Sequence, residues 1–212
     1  MTQGYVLYGA PGWGSVLAEA MLTWCDAPFR FEDVEGFDRD GPARDRLLAV
    51  NPLAQVPTLL LPDGTVMTES AAIALLLAER YPESGLAPAP DAPERATFLR
   101  WLVWMVANVY PTFTYGDYPD RWTTGAPDEL VASTLDHRKR LWRQFEVAVE
   151  PGPWVLGERF RALDIYVGAM VHWRPRQEWF RANCPNMAAV ADRVDALPKL
   201  APVWRRNFPP QT

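Results

Sequence analysis

The chain runs to 212 residues, 49% of them hydrophobic, with ten tryptophans and a formal charge of −5. That length accommodates one large domain or two modest ones around apolar cores, and the acidic balance argues against a nucleic-acid partner, which demands a basic face. No apolar run approaches the ~20 residues that cross a bilayer, and the start MTQGYVLYGAPG lacks the basic lead and long apolar stretch of a secretion signal.

The expectation is therefore a cytoplasmic globular protein with no membrane partner. GYVLYG (4–9) reads as a short buried strand, with β-branched and aromatic residues between glycines. After the turn GAPGWG, the run SVLAEAMLTWC repeats apolar residues at helical spacing from Val16 to Trp24, with Ser15 at its start as a candidate N-cap. Cys25 closes that run and Cys184 lies far away in a separate apolar context, so two free thiols are expected rather than a disulfide. FRFEDV alternates Phe29, Phe31 and Val34 as a second strand would. Strand, helix and strand within about 30 residues have the size of a parallel βαβ unit.

DGPARDRLLAV reads as a short irregular helix, TLLL as a strand, PDG as a tight turn and TVM as the antiparallel return. A helix then spans Glu69 to Tyr81 and stops at Pro82. The stretch PESGLAPAPDAP has no periodicity and reads as a linker. Beyond it no segment reads as a strand, and four segments carry helical apolar spacing: ERATFLRWLVWMVANVYPTF, DELVASTLDHRKRLWRQFEVAV, LDIYVGAMVHWR and MAAVADRVDAL. The expected organisation is an α/β domain over 1–82, a linker over 83–93 and an all-helical domain over 94–212.

Pro57 stands directly before the apolar run TLLL. A residue preceding proline is pushed toward extended geometry, and the X–Pro bond is the usual site of cis geometry. If Val56–Pro57 is cis, the backbone N–H and C=O of Val56 turn away from their own sheet and are offered to an extended peptide. The alternative is an ordinary edge-strand proline at a strand's first position. Downstream, TES opens the next helix, whose N-terminal N–H groups suit a carboxylate. Ser70 adds a hydroxyl there and Glu69 an acceptor for an ammonium group, unless Thr68 or Ser70 serves only as a cap. A ligand with an amino-acid head and a peptide body satisfies both features.

The segment NPLAQVPTLLLPDGTVMTESAAIALLLAERYP (51–82) closely resembles the glutathione-binding half of the cytosolic glutathione S-transferases, of bacterial type. The resemblance implies an α/β N-terminal thioredoxin-like domain followed by an all-α C-terminal helical bundle domain. It further implies glutathione as co-substrate without a metal, a small apolar electrophile as second substrate, and a homodimer. By the same resemblance Gln55, Val56, Pro57, Glu69 and Ser70 contact glutathione. WVLGERFRALDIYVGAM resembles the family's folding motif, in which a buried Asp follows a Ser or Thr N-cap by three residues. Asp164 is present and reads as structural, but the cap position holds Arg161.

In that family a Tyr near the end of the first strand, or a Ser or Cys at the start of the next helix, stabilises the glutathione thiolate. Anchored on PG, the Ser/Cys position falls on Trp13 or Gly14, neither of which carries a hydroxyl or thiol. Ser15 is the nearest hydroxyl and the first choice as catalytic residue, because helix N-termini favour anions; the alternative is a plain cap. Tyr8 is the second choice, against packing as a strand-end aromatic. Backbone N–H groups around Gly14 and Ser15 are a third source of stabilisation. Trp13 either covers the ligand or packs on the surface. No cysteine occupies the turn, and Cys25 sits at the far end of the helix, which weighs against thiol–disulfide chemistry.

For the electrophile, Trp101 and Trp104 read as core. Pro111 is expected to break the helix, leaving Tyr110, Phe113 and Tyr115 to edge an apolar pocket. His137 and His172 have no partners at metal-ligand spacing, and DHRKRLWR reads as a solvated helix face. The expected activity is attack of the glutathione thiolate on an apolar electrophile. The rivals are a non-catalytic glutathione- or hydrophobe-binding protein on the same fold, and a glutathione-dependent isomerase or dehalogenase.

Overall fold

A computed structural model describes residues 4–149 and 152–209. These form two compact units: residues 4–87 together with 194–209, and residues 88–193. The first unit thus includes the returning end of the chain, which the expected division at 83–93 assigned to the helical domain.

The first unit is built on a four-stranded sheet of order β2–β1–β3–β4. β1 (Tyr5–Gly9) pairs in parallel with β2 (Phe29–Asp33), and α1 (Ser15–Trp24) is their crossover. β3 (Thr58–Leu60) runs antiparallel to β1, and β4 (Val66–Met67) antiparallel to β3. Between the two halves lies α2 (Pro42–Leu48), and α3 (Ser70–Arg80) follows β4. This βαβ–ββα arrangement is thioredoxin-like.

α1 is apolar nearly all round and buries every residue from Ser15 to Leu22. A helix of that kind belongs inside a fold, and α1 packs against β1, α3 and α10 (Ala201–Asn207). Its start is not capped as the sequence suggests. Ser15 is the first helical residue, Gly14 occupies the cap position, and no side chain caps the end. Close packing fixes the residue opposite: a Cβ added at Gly9 would lie 2.6 Å from the Ser15 Cβ and 2.9 Å from the Phe31 ring.

The second unit is helical. α4 (Arg95–Trp104) runs through one wide π turn (Met105–Val109) into α5 (Tyr110–Asp117). Pro111 therefore does not break the helix. Its ring would strike the carbonyl four residues back in a regular α-helix; the wider turn, in which the Tyr110 N–H reaches back to the Met105 carbonyl, absorbs it.

α6 (Pro127–Ala148) buries Thr134, Arg138, Leu141, Trp142 and Phe145, one stripe at helical spacing. Arg138 corrects the solvated reading of DHRKRLWR. Its guanidinium donates to the Thr112 Oγ1 at 2.8 Å, the Thr112 carbonyl at 2.6 Å and the Arg174 carbonyl at 3.0 Å, and it lies 3.6 Å from the Phe113 ring centre. Burial lowers its pKa to about 10.

α7 (Ala162–His172) is buried from Ala162 to Val171. At its start Asp164 accepts from the Arg161 N–H at 2.6 Å and the Val155 N–H at 2.7 Å, so the absent Ser or Thr cap is bypassed: the Asp164 N–H bonds back to the Arg161 carbonyl. α8 (Gln177–Asn183) and α9 (Pro185–Asp195) complete this region, the chain rejoining the first unit near the end of α9.

Candidate functional site

The register of the sheet decides which segments meet. Tyr8 pairs with Thr58 and with Glu32, and Leu59 pairs with Met67. The C-terminal ends of β1, β2 and β4 and the N-terminal start of β3 therefore lie at one end of the sheet. Three segments singled out in the sequence emerge there together: the 10–14 turn, Val56–Pro57 and the Glu69–Ser70 helix start. A small core of Ala10, Val34, Phe37, Leu47 and Ala54 supports them, and Tyr8, Trp13 and Val56 pack against it.

Val56–Pro57 is cis. Neither the N–H nor the C=O of Val56 has a hydrogen-bond partner among the described residues. Pro57 is buried, Val56 half-buried and Gln55 exposed. The Gln55 carbonyl is held from two sides: it accepts from the Asn51 Nδ2 at 3.2 Å and from the Thr58 hydroxyl at 2.7 Å. Asn51 also donates to the Thr58 Oγ1 at 2.9 Å and accepts from the Leu53 N–H at 3.0 Å. Asn51 and Thr58 thus orient the Gln55–Pro57 segment. The sequence reading passed over both, although an Asn before a Pro is itself a turn signal.

At the third segment Glu69 occupies the cap position of α3 with φ +62° and ψ +107°. A non-glycine residue held at positive φ costs about 1–3 kcal/mol and persists only where its surroundings impose it. Ala54, beside Gln55, is another at φ +47°. The Glu69 carboxylate is exposed and makes no ion pair among the described residues. Ser70, half-buried, is the first residue of α3.

The first segment departs from expectation. Ser15 has no exposed surface. Its hydroxyl donates to the Ala10 carbonyl at 3.0 Å and accepts from the Ala10 N–H at 3.0 Å. A hydroxyl has one proton to give, and this one is given inward, closing the turn onto the helix. Ser15 is a clamp rather than a donor aimed at a ligand.

Tyr8 is half-buried, and its hydroxyl makes no hydrogen bond among the described residues. Trp13 is half-buried and meets the Phe37 ring edge-to-face at 5.0 Å. The Trp13 N–H donates to the Ala10 carbonyl and the Gly12 N–H to the Asn207 Oδ1, whereas those of Gly14 and Ser15 have no partner among the described residues. Burial pushes the Cys25 thiol up to about 11 and the Cys184 thiol up to about 12, so neither supplies a thiolate near neutral pH. Among the described residues no three His, Cys, Asp or Glu side chains group as metal ligands.

In the helical unit Phe113 is buried, its ring taken by Arg138 and by Trp173 edge-to-face at 5.1 Å. Tyr110 is half-buried against Phe113 and Trp173, and Tyr115 half-buried against Trp122 at 4.7 Å. Tyr110 and Tyr115 therefore retain accessible surface. Phe113 retains almost none.

Sheet order, the unspent Val56 backbone and the strained helix start define a protein of the thioredoxin-like class joined to a helical unit. Known proteins narrow the class. Residues 18–80 match the glutathione S-transferase N-terminal domain family. The chain is 47% identical over 201 residues to the uncharacterised GST-like protein YncG of Escherichia coli (strain K12), covering 95% of this chain and 97% of that one. A glutathione transferase homologue from Sulfitobacter, solved with bound glutathione, superposes with a TM-score of 0.84 at 23% identity, covering 96% and 97% of the two chains. A sphingomonad glutathione S-transferase complexed with glutathione gives 0.79 at 25% identity over 94% and 97%. The chain belongs to the glutathione S-transferase family.

Proposed function

We propose that the protein binds glutathione at this end of the sheet and activates its thiol for attack on a small apolar electrophile. The unspent N–H and C=O of Val56 carry the reading, because they offer the antiparallel pairing that a cysteinyl backbone needs. Glu69 and Ser70, at the positive end of α3, suit the ammonium and carboxylate of a γ-glutamyl head. Gln55 and Trp13 flank the tripeptide. The sulfur then lies over the start of α1, where the Gly14 N–H faces the anion and Tyr8 is the one remaining hydroxyl candidate. Tyr110 and Tyr115 are the aromatic residues proposed for the electrophile. The protein acts in the cytoplasm as a homodimer.

A second reading, a non-catalytic glutathione binder, draws on one observation: the Ser15 hydroxyl is spent on Ala10. One set of measurements separates the two. Calorimetry of the parent and Glu69→Ala should show glutathione binding that weakens about tenfold or more in the variant, since hydrogen bonds to charged groups are worth about 1.5–3 kcal/mol. Conjugation of a model aryl halide should proceed in the parent and fall in Tyr8→Phe. Binding without turnover assigns the binder; absence of binding refutes both readings.

A further inference from the structure

The 10–14 turn is secured from the far end of the chain. The Gly12 N–H donates to the Asn207 Oδ1 at 3.0 Å, across a separation of 195 residues. On the other side of the same amide, Nδ2 donates to the Glu19 Oε2 at 2.9 Å and to the Val203 carbonyl at 2.9 Å. Its orientation follows from chemistry. Only the oxygen can accept from Gly12 and only the nitrogen can donate to a carboxylate, so a flipped amide would oppose donor to donor and acceptor to acceptor. Asn207 is 5% exposed and Glu19 2%, so water does not compete for these bonds.

Glu19 is one turn into α1. Arg206 donates to its Oε1 at 2.8 Å, with the guanidinium 4.9 Å from the Phe31 ring centre on β2. Burial raises the Glu19 pKa, while Asn207 and Arg206 lower it. One short helix therefore grips both the turn and the helix that the turn opens.

Within the turn this grip has a directional consequence. Gly12 sits at φ +79°, and the Gly12 and Trp13 N–H groups are both committed. The next peptide plane carries the Gly14 N–H and is held through its own carbonyl, that of Trp13, which accepts from the Val16 N–H at 3.0 Å. Asn207 anchors the turn that leads into it, and the Gly14 N–H has no partner among the described residues. The link rests on the reading above, that the glutathione sulfur lies over the start of α1.

We propose that Asn207 is a positioning residue for the thiolate: through a single side-chain amide on Gly12, the C-terminal helix anchors the turn that presents the Gly14 N–H to the sulfur. Arg206 shares the brace on Glu19 but does not touch the turn, which provides an internal control.

The test follows the ultraviolet absorbance of bound glutathione thiolate against pH, with calorimetry for affinity and thermal melting for stability. It compares the parent, Asn207→Leu, Asn207→Asp and Arg206→Leu. Asn207→Leu should raise the bound thiol's pKa by about one unit, a tenfold loss of thiolate at fixed pH, with glutathione affinity within about threefold of the parent's. Asn207→Asp keeps an oxygen on Gly12 and should leave the thiol near its parental pKa while lowering the melting temperature. Arg206→Leu should lower the melting temperature alone.

A folded Asn207→Leu with the parental thiol titration overturns the inference, as does an equal shift in Arg206→Leu. If Asn207→Leu does not fold, the side-chain amide resonances of Asn207 in the parent decide: they should move when glutathione is added, and constancy overturns the link. A parent that binds no glutathione refutes the site reading first, before any variant is compared.

Discussion

At the scale of single residues, Ser15 carries the sharpest prediction. Truncating it to alanine leaves the Ala10 N–H without a partner in a site that has no exposed surface, and leaves the Ala10 carbonyl with the Trp13 N–H alone. A stranded buried group costs about 1–3 kcal/mol, so Ser15→Ala should lose about 1–3 kcal/mol in denaturant titration. A thiol donor would instead lose rate at unchanged stability. Wild-type stability in the variant would return Ser15 to the catalytic role. Val56, Pro57, Glu69 and Ser70 could be singled out as candidates in the sequence because they sit in a contiguous stretch with few geometric options. The sequence hid the orientation of Ser15, which depends on where the Ala10 peptide points, a property of the turn and not of residue type. Asn51, Thr58 and Asn207 were hidden for a related reason, since ordinary polar residues become positioning groups only through the partners the fold gives them.

At the scale of elements, the start of α7 shows how a missing cap is compensated and what that costs. Asp164 accepts two backbone N–H bonds, yet burial outweighs them and pushes its carboxyl up to about 7. In the unfolded chain the same group titrates near about 3.9. The folded state therefore holds a proton that the unfolded state has released, and between those two values stability falls as pH rises. Denaturant titrations should give a protein less stable at pH 8 than at pH 5 by about 2–3 kcal/mol from this group. Asp164→Asn should be weaker at pH 5 and lose most of that slope; an unchanged slope would assign it elsewhere. Helices with strong periodicity, such as α6, were legible in kind and extent. The continuous run through Pro111 was not, because a π turn that accommodates a proline leaves no mark in the apolar spacing. Nor was α10, whose seven residues are too few to show a period and which begins next to a proline, Pro202.

At the scale of the whole molecule, α10 matters because the first unit is discontinuous in sequence. Residues 4–87 carry the whole sheet with α1 to α3, but α1 also packs against α10 from the other end of the chain. α10 buries Val203 and Trp204, and it supplies the partners of Glu19 and Gly12. Loss of a buried tryptophan alone costs about 3–5 kcal/mol, against a total of about 5–15 kcal/mol for an ordinary domain. A fragment ending at residue 87 would also expose α1 and release the Glu19 carboxylate from its brace. It should therefore lack fixed tertiary packing, with weak near-ultraviolet dichroism and a poorly dispersed amide spectrum. Joining residues 194–209 to it through a flexible linker should restore dispersion. If the 4–87 fragment folds cooperatively without them, the C-terminal helix is an accessory to the unit and not part of its core.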